Sequence, residues 1–143
     1  MDIGFNLAIP SRLVKFNEPV SECGEFLGGQ AFHSGLDISV PYGTPVHAAA
    51  DGVVTFADTM NGYGNLIELD HGHGLSTRYG HLSGFAIAAG QHVRRGQVIG
   101  YVGATGRATS PHLHYEVRIQ NVPVNPHKYL RTTTAQLGPQ DNT

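Results

Sequence analysis

Apolar residues fall in short runs along this chain, and turn-forming residues close each run. From Thr44 onward the alternation is regular. Residues 45–49 and 53–57 read as strands joined at Asp51-Gly52, a dipeptide that often closes a hairpin. Asn61-Gly62 and Tyr63-Gly64 mark the next turn, and residues 66–71 and 75–81 form a second pair around the glycines of 72–74. Residues 93–96 lead into 97–102, residues 105–111 form a polar loop, 112–120 read as a long strand, and 122–129 close the domain. No long segment carries the 3.6-residue apolar period of an amphipathic helix. Residues 1–31 lack a regular pattern and read as a lead-in strand with loops, punctuated by Pro10, Pro19 and Gly28-Gly29; the polar end, 132–143, reads as a frayed tail. The pattern predicts an all-β domain with tight turns.

Composition sharpens this picture. Gly supplies 19 of 143 residues and Pro eight, as a turn-rich β fold requires, and the length suits one domain. The net charge is -2 with no Lys/Arg-rich run, so the electrostatic footprint of a nucleic-acid binder is missing. Cys23 is the only cysteine, which excludes an internal disulfide; it reads as a small buried hydrophobe. No apolar run approaches the roughly 18 residues that span a bilayer, and no signal peptide is visible at the N-terminus. Histidine, with nine copies, raises the expectation of a metal or acid–base site.

Three local patterns carry candidate chemistry: His33-Ser-Gly-Leu-Asp37, His112-Leu-His114, and the lone His81 after Tyr79-Gly80. Zinc takes imidazole and carboxylate ligands in a roughly tetrahedral set, and a catalytic site leaves one position for water. In a strand, residues i and i+2 share a face, so His112 and His114 project side by side. Gly35 lets the chain bend between His33 and Asp37 so that both reach one ion. Yet the same spacings recur at His47-Ala-Ala-Ala-Asp51 and His71-Gly-His73. The second set has bland readings: Asp51 as a hairpin residue with His47 in the preceding strand, and His73 inside a glycine turn. Spacing alone leaves both sets standing. His92 and His127 lack partners and read as solvated or structural.

The segments FHSGLDISVPYGTPVHAAADGVV, LIELDHGHGLSTRYGHLSGF, GQHVRRGQVIGYVGATGRATSPHLHYEV and PVNPHKYL together resemble the M23 peptidases, the lysostaphin-like or LytM-type zinc endopeptidases. The likeness divides the chain into a lead-in (1–31), a peptidase-like domain (32–130) and a tail (131–143). It implies a small antiparallel β-sheet domain, related to barrel-sandwich hybrid folds, with its site in a groove over the sheet. By position it implies His33, Asp37 and His114 as zinc ligands, and His81 and His112 as catalytic histidines that do not bind the metal. The implied cofactor is Zn2+. The implied substrate is the peptide of peptidoglycan, met outside the cytoplasm, with other domains of a longer chain as further partners. Many relatives carry an aromatic-Gly-x-Arg segment before the first ligand; here SECGEFLGGQAF lacks the Arg. No oxyanion Tyr is identified before His33. Glu116, on the strand face of His112 and His114, reads either as an acceptor behind the ligands or as a cross-strand ion-pair partner.

In the expected chemistry, zinc polarises the scissile carbonyl and acidifies a bound water. One of His81 and His112 takes a proton, and the other stabilises the oxyanion. One rival reading is a silent M23-like regulator that activates other cell-wall hydrolases; it predicts a broken ligand set, whereas all five matching positions hold the expected residue types. A biotinyl or lipoyl carrier needs a Lys at a hairpin tip, and neither Lys15 nor Lys128 lies within 44–102. A purely structural zinc site is usually closed by four ligands, often Cys-rich, which this chain does not offer.

Overall fold

The structure, a computed structural model, describes Ala8 and residues 35–125. These contain nine strands and no helix. The strands are β1 (Leu36–Ile38), β2 (Pro45–His47), β3 (Gly52–Met60), β4 (Gly64–Gly72), β5 (Leu75–Phe85), β6 (His92–Val93), β7 (Val98–Val102), β8 (Leu113–Ile119) and β9 (Val122–Val124). They form one antiparallel sheet whose main path runs β1-β8-β5-β4-β3-β6. The all-β expectation holds, and so does the β4–β5 hairpin around 72–74. The expected closing segment 122–129 is seen as β9; its residues beyond 125, with His127, lie outside the described residues, as do Cys23 and the lead-in apart from Ala8.

The expected hairpin at Asp51-Gly52 does not form. β2 pairs with β7, and β3 pairs with β4 and β6. Asp51 instead accepts the Arg95 backbone N–H at 2.7 Å. A Cβ on Gly52 would lie 2.6 Å from the Asp70 carbonyl oxygen, so glycine serves close strand approach here rather than a two-residue turn. A turn dipeptide reports a bend; it does not name the strand that follows as partner.

The core lies on one face of the sheet. Leu113, Tyr115 and Val117 of β8 point into it with Ile67 and Leu69 of β4, Tyr79 of β5, and Val46, Ile99 and Val102. Strict alternation sends the intervening β8 residues, His114 and Glu116, to the opposite face. Tyr79 and Tyr115 meet with ring centroids 5.6 Å apart in a tilted pair, an arrangement worth about 0.5–1.5 kcal/mol beyond burial.

β5 is the element that creates the site. Its first half, 75–80, pairs with β8, and its second half, 82–85, pairs with β7. His81 sits at the change of partner with φ of 63°, uncommon for a residue with a side chain. The chain between β7 and β8 returns to the same point, where Gly103 bridges His112. The polar loop thus delivers His112 beside His81 at a break in the ladder.

Candidate active site

Asp37 lies opposite His114 in the β1–β8 register. Its Oδ1 is 3.2 Å from His114 Nδ1 and 3.5 Å from His112 Nε2. The His81 ring centroid is 4.7 Å from that of His112 and 5.9 Å from that of His114. Four of the five residues singled out by sequence therefore converge from β1, β5 and the start of β8. The fifth, His33, lies outside the described residues. Asp37, His81 and His114 are all buried. A Cβ on Gly35 would lie 2.9 Å from His114 Cε1 and 2.5 Å from the Tyr115 carbonyl oxygen, while the bend expected between His33 and Asp37 begins outside the described residues. Only a glycine lets β1 come this close to β8.

His81 and His112 are each anchored through Nδ1, and His114 makes contacts through both nitrogens. His81 Nδ1–H donates to the Thr105 carbonyl at 2.7 Å, and His112 Nδ1–H to the Ser110 carbonyl at 2.9 Å. Because a carbonyl only accepts, both bonds assign the proton to Nδ1 and leave Nε2 as the basic nitrogen of the neutral ring. His114 is turned the other way, with Nε2 at 2.6 Å from Glu116 Oε2 and Nδ1 toward Asp37. Burial lowers the His81 pKa, and the neighbouring His112 and His114 add to this against the Thr105 carbonyl and Asp37; the neutral ring dominates at pH 7.

Behind these groups lies a polar network that sequence reasoning largely missed. Glu116 is fully buried and accepts from Tyr63 Oη at 2.7 Å and Arg118 Nη1 at 2.8 Å as well as from His114. Burial alone would raise its pKa, but these three donors outweigh it and hold the carboxyl below its usual value. Tyr63 reaches the site from the β3–β4 turn and packs 5.6 Å from the His114 ring. Arg78 donates to Tyr63 Oη at 3.2 Å and pairs with Glu68 at 3.0 Å. Sequence marked Tyr63 only as part of a turn; strand alternation flagged Glu116.

His47 and His71 of the second set are drawn into hydrogen bonds with backbone carbonyls and a hydroxyl. His47 Nδ1 bonds the Gly96 carbonyl at 2.9 Å, and the Asp51 carboxylate accepts the Arg95 backbone N–H at 2.7 Å. His73 has φ of 56° in the β4–β5 turn and is exposed. His71 closes a buried relay. Ala49 N–H donates to Tyr79 Oη at 3.1 Å, the Tyr79 and Thr77 hydroxyls meet at 2.7 Å, His71 Nε2 lies 2.8 Å from Thr77 Oγ1, and His71 Nδ1 lies 2.6 Å from the Asp51 carbonyl. That carbonyl requires a proton on Nδ1, so Nε2 accepts from Thr77, and Thr77 accepts from Tyr79. Burial pushes the Tyr79 hydroxyl up to about 12, which keeps it a donor.

The donor set suits zinc. Two ligand atoms, each about 2.0 Å from one tetrahedral ion, stand about 3.3 Å apart. Asp37 Oδ1 and His114 Nδ1 are 3.2 Å apart. Among the described residues no three such groups form a complete cage.

A one-sheet β domain thus carries a His–carboxylate cluster at the point where one strand changes partners. The sequence matches the model of peptidase family M23 over residues 31–126, and the chain belongs to that family. It is 56% identical over 94 residues to the DD-carboxypeptidase/endopeptidase Mpg of Neisseria meningitidis serogroup B, covering 66% of this chain and 22% of that protein. It is 47% identical over 93 residues to the peptidoglycan DD-endopeptidase ShyA of Vibrio cholerae, covering 65% of this chain and 22% of that protein. A further relative, the murein hydrolase activator EnvC of Escherichia coli, is 39% identical over 107 residues, or 75% of this chain and 26% of that protein. In structure the chain is similar to a zinc containing peptidase from Vibrio cholerae, with a TM-score of 0.74 and 34% identity over 86% of this chain and 39% of that one. The chain spans about a fifth to a quarter of the length of these curated relatives.

Proposed function

We propose that this chain is a zinc-dependent endopeptidase domain that hydrolyses peptide bonds in peptidoglycan cross-links or stem peptides. His33, Asp37 and His114 hold the metal, and His81 and His112 act on water and substrate. The observation that carries this reading is the opposed anchoring of the imidazoles: Nδ1 is tied back at His81 and His112, whereas Nε2 is tied back at His114. Two rings are thereby set as Nε2 bases, and the third offers Nδ1 beside the Asp37 carboxylate. Held by these residues, Zn2+ would supply a Lewis acid that polarises the scissile carbonyl and lowers the pKa of water toward neutrality. One of His81 and His112 accepts the proton of the attacking water at Nε2 and returns it to the leaving amine. The other hydrogen-bonds the developing oxyanion as an imidazolium, with Nδ1–H kept on its carbonyl and Nε2–H donated to the oxygen. The names of Mpg and ShyA support a D-amino-acid-containing peptide as substrate, and hence work outside the cytoplasm. Among the described residues no helix is long and apolar enough to cross a membrane.

The likeness to EnvC favours one second reading, a domain that activates other murein hydrolases without cutting. Digestion of purified peptidoglycan, with and without a chelator and with zinc added back, separates the two. Chelator-sensitive cleavage restored by zinc supports the endopeptidase, and fragment masses identify the bond. Stoichiometric zinc without cleavage of several wall types refutes it in favour of the activator.

A further inference from the structure

We infer that Glu116 is a positioning residue: its buried carboxylate accepts the His114 Nε2–H and thereby presents His114 Nδ1 to the metal. The inference rests on the reading of His114 as a ligand.

A side chain with no exposed surface and a charge is costly unless every oxygen is satisfied. Glu116 meets that condition with donors on both oxygens. Oε2 takes His114 Nε2 at 2.6 Å and Tyr63 Oη at 2.7 Å, and Oε1 takes Arg118 Nη1 at 2.8 Å. His114 and Arg118 are its i−2 and i+2 neighbours on one face of β8, so strand geometry holds all three in a row. Tyr63 closes the arrangement from the β3–β4 turn, and Arg78 fixes Tyr63 in place. The carboxylate cannot swing away without taking its acceptor from the buried His114 ring and from the partly buried Tyr63 hydroxyl and Arg118 guanidinium. With Nε2 committed to Glu116, Nδ1 is the nitrogen that faces Asp37, in hydrogen-bond contact with Oδ1 at 3.2 Å. The role differs from that of an ion pair that only stabilises β8: it acts on metal affinity through the orientation and tautomer of one ligand.

The test measures zinc affinity by competition with a chromophoric chelator, on metal-stripped protein whose fold is verified by circular dichroism. Wild type, Glu116→Leu, Glu116→Gln, Arg118→Met and His114→Ala are compared. Loss of such an acceptor typically weakens metal binding 10- to 100-fold, the loss expected for Glu116→Leu. Glu116→Gln, whose amide oxygen accepts the same N–H, should recover most of that affinity. Arg118→Met removes a different partner of the same carboxylate and should lower the melting temperature with little change in zinc affinity. Wild type gives an independent reading by NMR: zinc-loaded protein should show a slowly exchanging proton on His114 Nε2. A folded Glu116→Leu with wild-type affinity, while His114→Ala loses zinc, overturns the positioning role alone. So does a zinc-loaded His114 ring that carries its proton on Nδ1. Wild-type zinc affinity in His114→Ala overturns the ligand reading itself.

Discussion

His71→Ala tests whether the second His-x-His of this chain is scaffold rather than site. In the folded protein His71 terminates the relay Ala49–Tyr79–Thr77–His71–Asp51. Its removal leaves Tyr79 with Thr77 as acceptor but takes the acceptor from the Thr77 hydroxyl, which has no exposed surface. A buried donor without a partner costs about 1–3 kcal/mol. For a chain of this size each kcal/mol shifts the melting temperature by about 2–4 °C, so a fall of roughly 2–12 °C is expected. Zinc binding and turnover should stay near wild type. Differential scanning calorimetry and a zinc titration at pH 7.5 measure both. The pH dependence has a definite sign. Burial lowers the His71 pKa, so the unfolded chain, with an ordinary His near 6.5, binds this proton more readily than the folded one. The stability contributed by the neutral ring is complete above about pH 6.5 and is lost as pH falls toward the folded value. His71→Ala should therefore flatten the decline in stability below about pH 6.5. It should not abolish it, because the His81 pKa is lowered by burial as well. Loss of zinc in His71→Ala, or an unchanged melting temperature together with an unchanged acid limb, would refute the reasoning.

Other outcomes follow from the same geometry. His81→Ala and His112→Ala should each keep bound zinc and lose about 10²–10⁴-fold in turnover on peptidoglycan, the range for general acid–base groups; Asp37→Ala should lose zinc and activity together, as a titration and a digestion assay will show. Tyr115→Phe removes a buried hydroxyl that has no hydrogen-bond partner, so the variant should melt at or above the wild-type temperature, by up to about 1–3 kcal/mol in stability; a clear fall would mean that the hydroxyl is satisfied.

Much of this was legible in the chain itself. Strand runs, glycine turns and the His-x3-Asp and His-x-His spacings are local patterns, and a period of two already places His112, His114 and Glu116 on one face. Spacing could not separate His112/His114 from His71/His73, since both pairs satisfy the same rule. The structure separates them by surroundings: His114 faces Asp37 across a strand pair 77 residues apart, whereas His71 faces Thr77 and the Asp51 carbonyl. Asp51-Gly52 misled for a related reason, because the partner of β2 is β7, about 50 residues away in the chain.

Local sequence therefore determined what each segment is: a strand, a turn, a pair of imidazoles on one face, a family likeness carried by several motifs at once. Only the tertiary structure decided what each segment meets. The split pairing of β5 at His81, the carbonyls that settle the tautomers of His81 and His112, and the burial of Glu116 beneath Tyr63 and between Arg118 and His114 all come from long-range register. The physical reason is that side-chain chemistry and backbone preference are properties of neighbours in sequence. The orientation of a ring and the cost of a buried charge are properties of neighbours in space.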